Sequence, residues 1–466
     1  MKSKIFLLFI SFLSLESREL GEFVKEIPLK PIVFEIPEIE KTKTASGIEI
    51  LSLKNSEFPI VYADILIYHG NKNLGKRSLS ISRILESSWA LSGSKGLPGE
   101  SYLQKFESLG VAFSVGIDYD KTIIQIAYLK STENQVLPML EAFLENPNLT
   151  KEAFDNSKRK LKEEISRRND NPQSLGSRKM KEALFFGTIQ GRSIQPKEIE
   201  DVQIADVESF QKEIISEQKK LILLSGDFEL ASWSSFLSKA TIGMKEKATE
   251  EIDTFTLERN IQKYKSDIRL VDKDVQQSFI SMVGVLPAHK HKDFYAIQIL
   301  NYIIGGGGFN SYFMREIRNN RGLAYSAGSV TNFQESYGTI QFYAMTKTES
   351  VPEVLKLMKE LVQMDLILQL KEEELVRAKN AIINQFVFQF EDSKRTLSSE
   401  LRRRDHSMPE TYMKDFRKNI EAVSLEDMKK VGYQYFRNDS LIVTIVGPKS
   451  IRNQLKGNVK VISPEE

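Results

Sequence analysis

The chain has no cysteine and only four histidines, and both shortages exclude large classes of chemistry. Without cysteine there is no disulfide framework, no cysteine-ligated zinc or iron–sulfur cluster, and no thiol nucleophile. The histidines are His69, His289, His291 and His406, which leaves little imidazole for a metal site. The 65 basic and 63 acidic residues give a formal net charge of +2, so the composition predicts no nucleic-acid partner.

Long apolar runs are also missing, because none approaches the roughly 20 residues of a membrane-spanning helix. The most apolar run occupies residues 5–15 and follows Lys2 and Lys4. A short basic segment before a short apolar run is typical of a secretory signal peptide, and the alternative is a buried N-terminal helix. We predict a signal peptide at residues 1–17, an exported protein (periplasmic or secreted) and no integral membrane span.

What the chain does contain is an internal repeat of short patterns in one order, at offsets between 212 and 221 residues. The matching segments are 110–113 and 322–325, 124–133 and 340–349, and 221–226 and 441–447. Strand–turn–helix coincidences occur in any chain that mixes helices and strands. Three ordered matches favour a duplication.

Each half combines alternating apolar and polar residues, typical of strands, with longer periodic segments typical of helices. Runs of strands followed by runs of helices indicate an α+β fold. We predict two similar halves, each a sheet covered by helices, at residues 31–244 and 264–462. Residues 245–263 are rich in Lys and Glu and are predicted to form the linker.

One helix of the first half carries the sequence Arg83-Ile84-Leu85-Glu86-Ser87, and Glu163-Glu164 follows 76 and 77 residues after Ser87. This spacing resembles the insulinase/pitrilysin-type zinc metallopeptidases, whose inverted motif is H-x-x-E-H with a further glutamate ligand about 75 residues on. Positions i, i+3 and i+4 share one helix face, so two imidazoles can hold zinc beside a glutamate base.

The second half carries Gly306-Gly307-Gly308 and, further on, Arg321-Gly322-Leu323-Ala324-Tyr325. These stretches resemble the glycine-rich loop and the R-G-L-A-Y segment of the same family. The resemblance extends from about residue 31 to residue 462 and implies the LuxS/insulinase-like metallopeptidase fold. As a phosphate-binding loop the glycines are a poor match, because no Gly-Lys-Ser/Thr follows them.

The chain departs from the family at the zinc site, because Arg83 and Ser87 occupy the two histidine positions. A cation and a hydroxyl cannot replace two neutral imidazoles. The remaining histidines are predicted to be isolated surface or capping residues, and no cofactor is predicted in this chain. Arg83 is predicted to replace zinc as the counter-ion of Glu86 and Glu164 in a shielded place.

The resemblance implies a role in a two-chain peptidase, in which a homologous partner bears zinc and this chain supplies an Arg/Tyr pair. Arg321 and Tyr325, with the glycines of the loop, are then predicted to bind the peptide substrate. In the alternative interpretation both residues have only a structural role: Arg321 forms a surface ion pair and Tyr325 lies in the core. One alternative function is an inert scaffold or peptide-binding protein. A third interpretation is an enzyme that acts without a partner and uses another metal or no metal.

Two runs of three basic residues, 158–160 and 402–404, remain. We predict that they are solvated helix faces. The other interpretation, that they line an interior attractive to acidic peptides, stays open at this point.

Overall fold

The structure is a computed structural model, and it describes residues 35–216, 219–238 and 252–465. The predicted signal peptide and residues 239–251, which include the first part of the predicted linker, lie outside the described residues. No helix within the described residues is long and apolar enough to cross a membrane.

Among its described residues, the first half contains one large sheet, a small hairpin with two residues in each strand, and eight α-helices. The strands are β1 Glu40–Lys43, β2 Glu49–Lys54, β3 Ile60–Ile67, β4 Gly93–Ser94, β5 Leu97–Pro98, β6 Ala112–Ile117, β7 Thr122–Leu129 and β8 Lys220–Gly226. The helices are α1 Leu79–Ser92, α2 Glu100–Ser108, α3 Glu133–Glu145, α4 Lys151–Arg167, α5 Pro172–Leu184, α6 Pro196–Asp201, α7 Ile204–Ile215 and α8 Leu230–Ser238. The six long strands are ordered β1-β2-β8-β3-β7-β6.

The second half repeats this plan. Its strands are β9 Asp267–Asp272, β10 Gln277–Leu286, β11 Ala324–Phe333, β12 Gly338–Lys347, β13 Ile442–Gly447 and β14 Asn458–Ile462. Its α-helices are α9 Thr254–Tyr264, α10 Phe294–Asn301, α11 Val351–Leu361, α12 Met364–Leu368, α13 Glu372–Val387, α14 Ser393–Asp405, α15 Tyr412–Ala422 and α16 Leu425–Tyr435. Two π-helical segments, Tyr302–Gly306 and Met314–Asn319, flank the glycine-rich loop. The strand order is β11-β12-β10-β13-β9-β14.

The two sheets confirm the predicted duplication. From the β6 edge, the order β6-β7-β3-β8-β2 equals β11-β12-β10-β13-β9, and only the last pairing in each series is parallel. The sixth strands differ, because β1 pairs antiparallel with β2 whereas β14 pairs parallel with β9. The predicted alternation also holds in β7, where Ile124, Ile126 and Tyr128 are buried.

The two halves interlock, because one helix of each half packs on the sheet of the other half. Helix α5 of the first half packs on β10 and β13, where Leu175 joins Phe279 and Val446 in a buried cluster. Helix α14 of the second half packs on β8 and β2, where Leu397 lies among four buried leucines of the first sheet. Each sheet therefore needs the other half of the chain to cover one face.

Polar contacts add to this interlock near the end of α14. Arg404 donates from Nη2 to both carboxylate oxygens of Glu49, at 2.8 Å each. Asp405 accepts a hydrogen bond from the Tyr68 hydroxyl at 3.0 Å and pairs with Lys121. The basic run 402–404 is therefore not a uniformly solvated face.

Helix α9 lies within the segment predicted as the linker. Asp253 caps it by accepting a hydrogen bond from the backbone of Thr256 at 2.7 Å. Leu257 and Ile261 point into a buried cluster with Leu184 of α5. This part of the segment is thus packed helix that rests on both halves.

Candidate functional site

The helix pair α1 and α4 carries the residues at the family's zinc positions. Ser78 caps α1 by accepting a hydrogen bond from the backbone of Ser80 at 3.1 Å, and Thr150 caps α4 in the same way. The apolar residues of α1 face the sheet, and those that are fully buried are Ile84, Leu85 and Trp89. Helical periodicity then leaves Arg83 and Glu86 on the outward face toward α4.

Arg83 lies between the two carboxylates. Its Nη1 donates to Glu86 at 2.7 Å, and its Nη2 is 3.3 Å from Glu164. Ser87 donates instead to the carbonyl oxygen of Arg83 at 3.0 Å. The side chains of Arg83, Glu86 and Glu164 are 43%, 27% and 55% exposed. The expectation of a shielded place was therefore wrong, because this helix face is open to water.

A zinc ion does not fit this arrangement. The permanently charged guanidinium of Arg83 contacts both carboxylates, and it repels a second cation there. The Ser87 hydroxyl is turned to the backbone, and a neutral hydroxyl is a poor zinc ligand. Within the described residues, no group of three or more His, Asp or Glu side chains is placed to hold a metal.

The histidines correct another expectation. His69 and His289 are 1% and 5% exposed, so they are not surface residues. Nor is His406 isolated, since its Nδ1 lies 2.6 Å from Nδ1 of His289, so that one ring donates a hydrogen bond to the other. Burial lowers the pKa of His289 to about 3. His291 accepts a hydrogen bond from the backbone of Asp293 at 3.2 Å, and its 39% exposed side chain fits the expectation of a surface residue.

Tyr325 lies at the start of β11, and Arg321 lies in the turn before it, next to Gly322, whose φ is +64°. Tyr325 falls at a register irregularity between Ala324 and Ser326, and its side chain is 77% exposed. Arg321 is exposed too, with no ion pair among the described residues. The interpretation that Tyr325 lies in the core is therefore wrong. Both donor side chains are open to solvent.

An exposed cluster of rings and a cation surrounds Tyr325. The guanidinium carbon of Arg318 is 5.6 Å from the centre of the Tyr325 ring and 5.3 Å from that of Phe309. Phe309 follows the glycine-rich loop and is 66% exposed. Cation–π contacts at such distances hold the rings in place. Arg318 and Phe309 are not among the predicted site residues, although both lie in the stretch that carries the family resemblance.

The glycine-rich loop is tightly packed and not simply a flexible turn. A Cβ on Gly305 would lie 2.4 Å from the Ser329 hydroxyl, and one on Gly306 would lie 2.6 Å from the Asn301 amide. A Cβ on Gly307 would meet the carbonyl oxygen of Tyr302 at 2.6 Å, whereas Gly308 has open space but a φ of +59°. Gly305 thus allows the π-helical segment to approach β11 closely, and Gly306 and Gly307 allow close packing on the residues that precede them.

Two family models match the chain in succession. The model described as Insulinase (Peptidase family M16) matches residues 50–197, and the model described as Peptidase M16 inactive domain matches residues 201–382. With the duplicated sheets and the helix pair, these matches define the chain as a protein of the metallopeptidase fold that lacks the H-x-x-E-H motif. The chain belongs to the insulinase family, peptidase M16.

Individual relatives are distant but cover most of the chain. The Helicobacter pylori protein named Non-peptidase homolog YmxG is 23% identical over 336 residues, which are 68% of this chain and 76% of that protein. The peptidase M16 inactive domain from Pseudomonas fluorescens has a TM-score of 0.74 at 18% identity, covering 88% of this chain and 98% of that one. The periplasmic protease PqqL from Escherichia coli has a TM-score of 0.70 at 12% identity, covering 93% of this chain and 50% of PqqL. These structural likenesses establish the fold.

Proposed function

We propose that this chain is the non-catalytic subunit of a heterodimeric zinc peptidase and completes the active site of a zinc-bearing homologous subunit. The observation that carries the proposal is the solvent exposure of Arg321 and of Tyr325, which has a 77% exposed side chain. Buried or paired side chains could not reach a second chain, whereas these two can. Arg83 and Ser87 stand at the positions of the family's two zinc-binding histidines. This replacement supports the assignment of zinc to the partner.

The chemistry suits the hydrolysis of a peptide bond. Attack of water on the peptide carbonyl places negative charge on its oxygen, and donors aimed at that oxygen stabilise the transition state. Arg321 offers a forked, permanently charged donor set, and Tyr325 adds a neutral hydroxyl. The loop at Gly306, Gly307 and Gly308 is proposed to contact the peptide beside them.

We further propose that the protein is exported and acts in the periplasm or outside the cell. The basic and apolar residues of segment 1–17 support this, and PqqL, a structural neighbour, is described as a periplasmic protease. N-terminal sequencing of the protein from its cell envelope checks it: a start beyond residue 14 is expected, and an intact Met1 in a cytoplasmic fraction would contradict export.

The test is co-purification from the source cell, followed by peptide cleavage assays on the chain alone and on the complex. We expect a homologue with an intact H-x-x-E-H motif to co-purify, cleavage by the complex only, and loss of cleavage with a chelator. Cleavage by the isolated chain that persists in chelator would contradict the proposal.

A second candidate is an inert scaffold or peptide-binding protein of the same fold. The name of the Helicobacter pylori relative, a non-peptidase homolog, favours it. Self-association without a zinc-bearing partner, together with peptide binding and no turnover, would establish this candidate in place of the first.

A further inference from the structure

A cavity of about 640 Å³ lies inside the second half, beside the C-terminal part of β11. Helices α10, α13, α14 and α15 enclose it, with the segment that follows β10. Its volume is in the range of about 300–1,000 Å³ that is typical of small-ligand sites. Neither Arg321, Tyr325 nor any residue of the Arg83 cluster lines it, whereas Gly306 of the glycine-rich loop does.

Among the described residues that line this cavity, the charged ones are basic. None of the described residues that line it is Asp or Glu, although the chain has 63 acidic residues. Two arginines of α14 line it, Arg402 and Arg403. Arg403 is compensated by Glu400, with hydrogen bonds of 2.7 and 2.8 Å. Arg402 has no ion pair among the described residues, so its charge is available to a ligand.

One wall of the cavity is aromatic. Phe386 of α13 and Phe416 of α15 stack with their ring centres 3.8 Å apart and an angle of 5° between the rings. Phe294 and Phe333 pack edge to face at 4.9 Å. This wall can bury an apolar group of the size of a phenyl ring or a branched alkyl chain.

Another part of the cavity lining consists of side-chain amides. The side chains of Gln298 and Gln385 make no hydrogen bond with any described residue. Gln389 accepts a hydrogen bond from Ser399 at 3.3 Å through its oxygen, which leaves its NH₂ group available. Amide groups of this kind can orient a polar ligand by hydrogen bonds.

We propose that this cavity binds a carboxylate attached to an apolar group, with the carboxylate on Arg402 and the apolar group against the phenylalanine wall. A single uncompensated guanidinium matches a monoanion, and its fork fits a carboxylate. Because no acidic side chain lines the cavity, an ammonium group on the same ligand has no partner there. The site therefore selects against free amino acids. This proposal does not rest on the proposed function.

Two sources supply such a ligand: the C-terminal residue of a peptide and a free organic acid. The test is calorimetric titration of the purified chain with four small probes and two peptides. The small probes are N-acetylphenylalanine, its amide, free phenylalanine and phenylpropionate. The peptides are hexapeptides that end in phenylalanine, one with a free and one with an amidated C-terminus.

We expect N-acetylphenylalanine and the hexapeptide with a free C-terminus each to bind about 10- to 100-fold more tightly than the corresponding amide, as for one charge-assisted hydrogen-bonded pair. Free phenylalanine should bind more weakly than N-acetylphenylalanine. Arg402→Gln should abolish the preference for acid over amide. Arg395→Gln is the matched control, because Arg395 is on the same helix but does not line the cavity.

Tighter binding of the acid-ended peptide than of the small acids would identify a peptide terminus as the ligand, and the reverse would identify a free acid. Equal binding of acids and amides, or a preference that survives in a folded Arg402→Gln variant, would overturn the proposal. Melting curves of both variants confirm that they are folded.

Discussion

The two halves differ at the start of their edge strands. In the first half Phe113 of β6 packs among rings, with its centre 5.1 Å from that of Phe106 and 5.0 Å from that of Phe143. At the matching position of the repeat, Tyr325 of β11 is 77% exposed. The strand order is the same in both halves, so the difference lies in the side chains and in the irregularity of β11. In a duplicated fold, the side chain at the edge strand of one half can thus pack against the core, while the matching side chain of the other half is exposed to solvent.

A second comparison concerns two Arg–Glu pairs, each three residues apart on a helix. Arg83–Glu86 in the first half and Arg403–Glu400 in the second half both have an N···O distance of 2.7 Å. The side chains of the first pair are 43% and 27% exposed, and those of the second are 7% and 5% exposed. The same local geometry therefore lies in water in one half and in the protein interior in the other.

The largest effect is expected from breaking the buried pair. Arg403→Ala removes the close partner of the buried Glu400 and leaves it only the 3.9 Å contact with Lys41, which costs about 3–5 kcal/mol of unfolding free energy. The same change frees the carbonyl oxygen of Met408, which accepts a hydrogen bond from Arg403 at 2.7 Å. Urea unfolding measures the loss. The double change Glu400→Leu with Arg403→Met should recover much of it, and a loss under about 1 kcal/mol for Arg403→Ala would contradict burial of the pair.

The exposed edge is tested by turnover. In the reconstituted complex, Arg321→Ala and Tyr325→Phe should each lower kcat by about 10²–10³, because each removes one donor to the oxyanion. Melting temperature and partner binding should change little, since both side chains are exposed. Arg321→Lys should restore little activity, because a point charge cannot reproduce the fork.

Phe113→Leu is the contrasting change in the first half. It should lower stability and leave the turnover of the folded complex unchanged. Unchanged turnover in both the Arg321 and Tyr325 variants would favour the scaffold function.

The buried histidine pair predicts a pH dependence of stability. Native His289 stays neutral down to about pH 3, because burial lowers its pKa, while the unfolded chain takes up a proton near pH 6.5. Between these values the unfolded state binds more protons, so stability falls as pH falls, by up to about 1.4 kcal/mol per pH unit for this group. Burial also lowers the pKa of His406, which adds to the slope.

Urea unfolding at several pH values between 4 and 7 measures this slope. His289→Gln should make it shallower, because this change removes the group whose pKa burial lowers. Equal slopes in the wild type and His289→Gln would contradict the prediction.

The smallest effect is expected at the exposed pair. Arg83→Ala should cost only about 0–1 kcal/mol, because water screens its contacts with Glu86 and Glu164. High salt should reduce even this difference. A loss as large as that of Arg403→Ala would mean that the helix pair closes over Arg83 in solution.

Local patterns predicted much of the fold. The alternation along β7 and the duplication are both present in the structure. The contact of Arg83 with Glu86 was also predicted, since residues three apart on a helix are neighbours. These features depend on interactions between residues close in the chain or on a repeat that is visible in the sequence.

By itself the sequence determined the family, the duplication and the absence of both zinc histidines, because motif spacing and residue type are local information. Only the tertiary structure decided that Arg83 is open to water, that Tyr325 is exposed, and that His289 meets His406 across 117 residues. It also decided that each half covers one face of the other's sheet. Exposure and long-range contact depend on which elements pack together, and no periodicity within one element contains that information.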